Sequence, residues 1–177
     1  MTGNSKEGNS SQEEPVIIAD LQNRVTGSAP RWRMRRDRLI HRATYVMVFN
    51  SRNEILVQKR TITKDIYPGL LEMASGGVVR AGESYETSAM RELEEETGIR
   101  SVCLNFHFDF YFEDRTNRVW GRTFSCTWDG SMKFQKEEVE WGKFFKPGEL
   151  EAEISRGNFT PDCTYLYKIC KERRLAF

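Results

Sequence analysis

The sequence predicts an α+β fold in which a few separated helices pack on a mixed, largely antiparallel sheet. Two observations carry the prediction. β-rich runs come in pairs across short polar turns, at residues 45–49 and 55–57 around 50–53 and at 103–112 and 119–128 around 113–117, which is the spacing of hairpins. Helix signals are few and far apart. One long segment at 85–97 is stopped by Gly98, and a C-terminal one opens with Thr160-Pro161-Asp162, a capping hydroxyl, a first-turn proline and an early acid.

The 177 residues, 38% hydrophobic and 30% charged, suit one domain with a sizeable core. Residues 1–14 hold no large apolar side chain after Met1 and are rich in Ser, Asn, Gly and Glu. They are expected as a disordered tail, with a single domain over 15–177. A net charge of +1 gives no reason to expect wholesale nucleic-acid or membrane binding. No apolar run approaches the roughly 20 residues of a membrane-spanning helix, and the N-terminus lacks the apolar stretch of a secretory signal, so a cytoplasmic location is expected. Cys103, Cys126, Cys163 and Cys170 show neither a CxxC pair nor a histidine at zinc-ligand spacing and read as buried free thiols.

Taken in order, Val16, Ile17 and Ile18 and then Val25 flank a polar turn at Gln22-Asn23 and form a small hairpin. Ser28 before Pro30 marks a helix start. The segment 31–42 carries six arginines, which fits a nucleic-acid patch or a solvated helix face. The interleaved Trp32, Met34, Leu39 and Ile40 favour a solvated face leading into a strand. Beyond the paired runs, 139–145 reads as one more strand, Pro147 opens a short helix, and the final helix runs toward Arg173.

The helix at 85–97 carries the chemistry. From Gly77 the chain reads GVVRAGESYETSAMRELEEETGI. At about 100° per residue, Glu95 and Glu96 fall on either side of Glu92, so three carboxylates share one arc, with Ala89 and Leu93 beside it to anchor the helix to a core. Like charges at i,i+3 and i,i+4 repel by roughly a few tenths of a kcal/mol per pair. A hard divalent cation relieves this, since Mg2+ takes one or two carboxylates, waters and substrate phosphate oxygens. The plainer alternative is an acidic, solvated face relieved by an i,i+4 pair between Arg91 and Glu95.

The complete pattern decides between them. Gly77, Glu83, Arg91-Glu92, the aliphatic Leu93, Glu95-Glu96, Gly98 and the aliphatic Ile99 stand at the spacing of the Nudix box, which the sequence resembles at every defined position. Seven exact positions at about 6% each, with two looser ones, put a chance match on the order of one in ten million. The resemblance implies an αβα sandwich around a mixed sheet, with a loop, helix and loop that bind divalent metal. It implies Glu83, Glu92, Glu95 and Glu96 as metal ligands or water-activating bases, Gly76 as the donor of a backbone carbonyl, and Gly77 as the residue permitting the tight loop. Glu92, Glu95 and Arg91 are then the catalytic residues, Arg91 by orienting the carboxylates. The implied cofactor is Mg2+, or Mn2+ in its place, and the implied reaction is hydrolysis of a phosphoanhydride bond in a small diphosphate compound such as a nucleoside diphosphate linked to another group. Nudix enzymes often draw a further carboxylate from a later loop. Glu137 and Glu138, just before the strand at 139, are the candidates, against the alternative of solvated turn acids.

Residues 41–84 also resemble isopentenyl-diphosphate isomerase without a gap, in His41-x-Ala43, Arg60, Lys64, Pro68-Gly69 and Gly82-Glu83-Ser84. Arg60 and Lys64 match positions that contact substrate phosphate there. In those isomerases a cysteine and nearby histidines transfer protons and hold metal. Here the matching positions are Gly76, Val78 and Met34, and the surviving His41 is read as buried and structural. Isomerising an alkene needs two acid-base groups, so the expectation is an isomerase-like branch with hydrolase chemistry. The alternatives are isopentenyl-diphosphate isomerase activity and a catalytically silent Nudix binding module. No second signature names the substrate, and Tyr67, Phe112 and Trp120 are aromatics that either stack on a base or sit in the core.

Overall fold

The computed structural model describes residues 11–175, so residues 1–10 of the expected tail lie outside it. Residues 11–13 are helical. Gln12 donates to Asp65, and Glu14 pairs with Arg31 and Arg80. The tail expected over 1–14 is therefore corrected at its end, because these side chains find partners on the folded body.

The chain forms β1 (Pro15–Ala19), β2 (Val25–Pro30), α1 (Arg31–Arg36), β3 (His41–Phe49), β4 (Ile55–Arg60), β5 (Leu71–Glu72), α2 (Tyr85–Thr97), β6 (Asn105–Glu113), β7 (Arg118–Thr127), β8 (Val139–Phe145), α3 (Pro147–Ser155) and α4 (Pro161–Glu172). Ser28 pairs with Ile17 inside the first hairpin, so the helix expected at Ser28 starts instead after Pro30, whose φ of −55° leads the chain into α1. β6 begins at Asn105 and leaves Cys103 exposed, whereas the other three thiols are buried as expected.

β3 and β4 follow the expected turn but pair only at Phe49 and Ile55. They then splay, β4 running antiparallel to β8 and β5 and β3 parallel to β7 along its whole length. β7 pairs antiparallel with β6 on its other side. One edge of β3 thus stays available to residues 75–79, which bridge it at Val46–Ser75 and Ala43–Val78.

Side chains alternate across a strand, and β3 uses both faces. Tyr45 and Met47 join Val57, Phe110, Leu150 of α3 and Leu166 of α4 in one core. Val46 and Val48 join Leu56, Phe124 and the α2 residues Ala89 and Leu93 in the other. The result is the expected αβα sandwich on a mixed, largely antiparallel sheet. α1 is pinned separately by Met34, which packs on Val16 and Val78.

Candidate metal and active site

Local rules fix α2. The Ser84 side chain accepts from the Thr87 amide at 3.1 Å, and Gly98 at φ 75° ends the helix in the left-handed region where a glycine costs least. Ala89 and Leu93 are wholly buried against the sheet. That seat turns Glu92 and Glu96 inward, with 9% and 3% exposure, and puts Glu95 at the half-exposed edge of the same cavity.

The loop before α2 is held by β3. The amides of Val46 and Thr44 donate to the carbonyls of Ser75 and Gly77 at 2.7 and 2.9 Å, and the amide of Gly76 donates to Glu96 at 3.2 Å. Gly76 has φ 157°, and a Cβ there would collide with the Thr44 carbonyl. At Gly77 a Cβ would stand 2.5 Å from the Glu92 carboxylate. Both glycines are therefore demanded by close approach, the first by the β3 backbone and the second by a box acid.

Arg91 organises the acids. Its guanidinium makes a fork with Glu83 at 2.8 and 2.9 Å and also donates to Glu92 at 2.7 Å and Glu95 at 3.1 Å. The fork from Arg91 holds the Glu83 carboxyl below its usual range. Burial opposes charge on Arg91, yet Glu83 and Glu92 outweigh it and push its pKa up. Glu96 is different: it accepts from the Ser75 hydroxyl at 2.5 Å and the Gln58 amide at 3.5 Å. Burial, then the neighbouring Glu72 carboxylate, push its pKa up to about 7.

These groups fit a divalent cation by chemistry. The donors are oxygens, as a hard ion requires, and Glu96 is a buried carboxyl raised by burial and by the acids beside it, a balance that a nearby cation reverses. Among the described residues no three His, Cys, Asp or Glu side chains already converge on one point, because Glu83, Glu92 and Glu95 are gathered by Arg91 while Glu96 turns to Ser75.

A cavity of about 410 Å3 opens beside the acids. Gly76, Glu92, Glu95 and Glu96 border it, as do Arg60 and Lys64, while Glu83 and Arg91 do not. Arg60 bonds Glu72 at 2.8 Å and the Ile66 carbonyl at 2.9 Å. Lys64 pairs with Glu138, and burial, against the pull of Glu96, lowers its pKa. Glu137 and Glu138 reach the same cavity because the amides of Lys133 and Gln135 donate to the carbonyls of Thr97 and Glu96 at the end of α2. Tyr67, Phe112 and Trp120 do not border it.

Sequence reasoning missed four groups here. Glu72 lies on the short β5, and Arg31, Arg35 and Arg80 line the cavity. The solvated arginine face is corrected accordingly: Arg33 and Arg36 are exposed, but Arg31 and Arg35 turn in. A signal was present, since Arg31 and Arg35 are one helical turn apart and flank Met34, the buried residue of α1. His41 is buried as expected, its Nδ1 3.2 Å from the Leu39 carbonyl, and it borders the cavity.

Residues 39–163 match the family model described as NUDIX domain. The chain is 43% identical over 153 residues to the uncharacterized Nudix hydrolase PA4841 of Pseudomonas aeruginosa, covering 86% of this chain and 90% of that one. It is 46% identical over 149 residues to the uncharacterized Nudix hydrolase YfcD of Escherichia coli K12, covering 84% and 82%. In fold it resembles the crystal structure of DR0079 from Deinococcus radiodurans, with a TM-score of 0.77 at 21% identity over 89% and 99% of the two chains. The NUDIX domain of Shewanella oneidensis NrtR, solved with ADP ribose, is similar at a TM-score of 0.60 and 16% identity over 75% and 87%. With the family model spanning most of its length and relatives well above 30% identity, the chain belongs to the Nudix hydrolase family.

Proposed function

We propose that this enzyme hydrolyses a phosphoanhydride bond in a small diphosphate compound with Mg2+ or Mn2+ as cofactor, and that it represents an isomerase-like branch of the family without the isomerase chemistry. The observation that carries the reading is the meeting of Glu92, Glu95 and Glu96 with Arg60 and Lys64 around one polar cavity. Acids for a metal and cations for phosphate stand within a single small volume.

In this reading Glu83, Glu92, Glu95, Glu96 and the Gly76 carbonyl hold the metal. When bound, it neutralises phosphate oxygens and lowers the pKa of a water. Arg91 keeps Glu92 and Glu95 aimed, and one of these two accepts the proton of the attacking water. Arg60 and Lys64 donate to phosphate oxygens. Glu138 is engaged by Lys64, which makes it a positioning residue and leaves Glu137 as the fourth carboxylate. The isomerase alternative needs a side chain at position 76, where a Cβ meets the Thr44 carbonyl.

The test is a panel of diphosphate compounds, including ADP-ribose and isopentenyl diphosphate, assayed with Mg2+ or Mn2+, with the cleaved bond identified by phosphorus NMR. At least one compound is hydrolysed, EDTA stops the reaction, and Glu92→Gln or Glu96→Gln lowers turnover by about 100-fold or more. Turnover within about twofold of wild type in both variants sinks the site assignment. An allylic product from isopentenyl diphosphate supports the isomerase instead.

A further inference from the structure

Most cations bordering the cavity are matched by carboxylates. Arg60 has Glu72, Lys64 has Glu138, and Arg31 and Arg80 share Glu14. Arg35 has no carboxylate in ion-pair range among the described residues. Its Nη1 donates to the amide oxygen of Asn117 at 3.2 Å, and its Nε is buried without a partner, as is that of Arg31 beside it. Met34, 1% exposed and packed on Val16 and Val78, fixes this face of α1 in the cavity wall.

A partly buried guanidinium with no carboxylate in ion-pair range, where Asp65 at the same cavity acts on it only through space, is costly to the folded state. It also presents a flat fork of donors that fits two oxygens of a phosphate. Burial, then the positive charge of Arg31, push the Arg35 pKa down to about 10 against the opposing pull of Asp65, which leaves it charged at neutral pH.

We propose that Arg35, with Arg31 beside it, forms an anion subsite at the α1 end of the cavity that takes a phosphate group, and that in turnover this phosphate belongs to the substrate. The subsite stands on geometry; its assignment to the substrate rests on the hydrolase reading. The enzyme then favours compounds carrying a phosphate beyond the pair engaged by Arg60, Lys64 and the metal.

The two parts are separable by experiment. In EDTA, where the metal site is silent, the melting temperature of the full chain is compared in inorganic phosphate and in chloride at equal ionic strength. Wild type gains stability from phosphate, Arg35→Met loses most of that gain, and Arg35→Lys keeps part of it. Arg35→Met also starts no lower than wild type in chloride, because the uncompensated buried charge is gone. An undiminished phosphate gain in Arg35→Met, or no gain in wild type, overturns the subsite. With a substrate from the panel, Arg35→Met raises KM by about tenfold or more, beyond any fall in kcat. An unchanged KM beside a lost phosphate gain overturns the substrate assignment alone.

Discussion

His41 and Glu96 are both buried beside the same cavity, and burial drives them in opposite directions. Burial and then the charge of Arg35 lower the His41 pKa from 6.5 to about 3, whereas burial and then Glu72 raise that of Glu96 from 4.5 to about 7. A depressed histidine contributes stability above pH 6.5 that is lost as pH falls toward 3. A raised carboxyl contributes stability below pH 4.5 that is lost as pH rises toward 7. Between 4.5 and 6.5 the two oppose each other. Metal-free melts across pH 4 to 8 should therefore show less acid loss in His41→Gln and a flatter decline toward neutral pH in Glu96→Gln. If neither substitution changes the slope, the two groups do not titrate as their burial dictates. At this scale the acids of α2 were legible in the sequence because one helix holds them at fixed angles. Arg35 and Glu72 were not, because what makes them cavity residues is contact with segments far along the chain.

The loop and helix that carry the box form a unit in which each glycine has its own task. Adding one methyl at Gly77 pushes on a carboxylate, the end of a side chain, while adding one at Gly76 pushes on the β3 backbone. Gly77→Ala is expected to displace Glu92 and lower turnover with little loss of stability. Gly76→Ala is expected to cost about 1–3 kcal/mol of stability, since strained backbone has to shift. Paired melts and turnover assays check this, and equal stability losses with unchanged activity in both variants contradict it. The local signals read in the sequence, the stop at Gly98 and the prolines that open the later helices, put α2, α3 and α4 where the sequence reading expected them, and the structure adds the cap at Ser84. The splay of β3 from β4, and the short β5, were not legible. The splay follows from the pairing of β3 with β7 and of β4 with β8, and β5 is placed by β4 and by the bridge from Leu71 to Phe159, partners that lie apart from it along the chain.

Across the whole molecule, the sheet separates two cores and brings the acids of α2 to a cavity whose other walls are β3, β4, α1 and the segment before β8. No helix among the described residues is long and apolar enough to cross a membrane. β3 packs apolar side chains on both faces, one in each core, as a strand covered on two sides does, and the sandwich follows from it. Hydrolysis at this site depends on the box carboxylates holding a divalent cation. Calorimetric titration of Mg2+ into the metal-stripped full chain measures that directly. Saturable binding is expected in wild type and is lost in Glu92→Gln and in Glu96→Gln. Binding of equal strength in both variants, or no binding in wild type, would contradict this expectation.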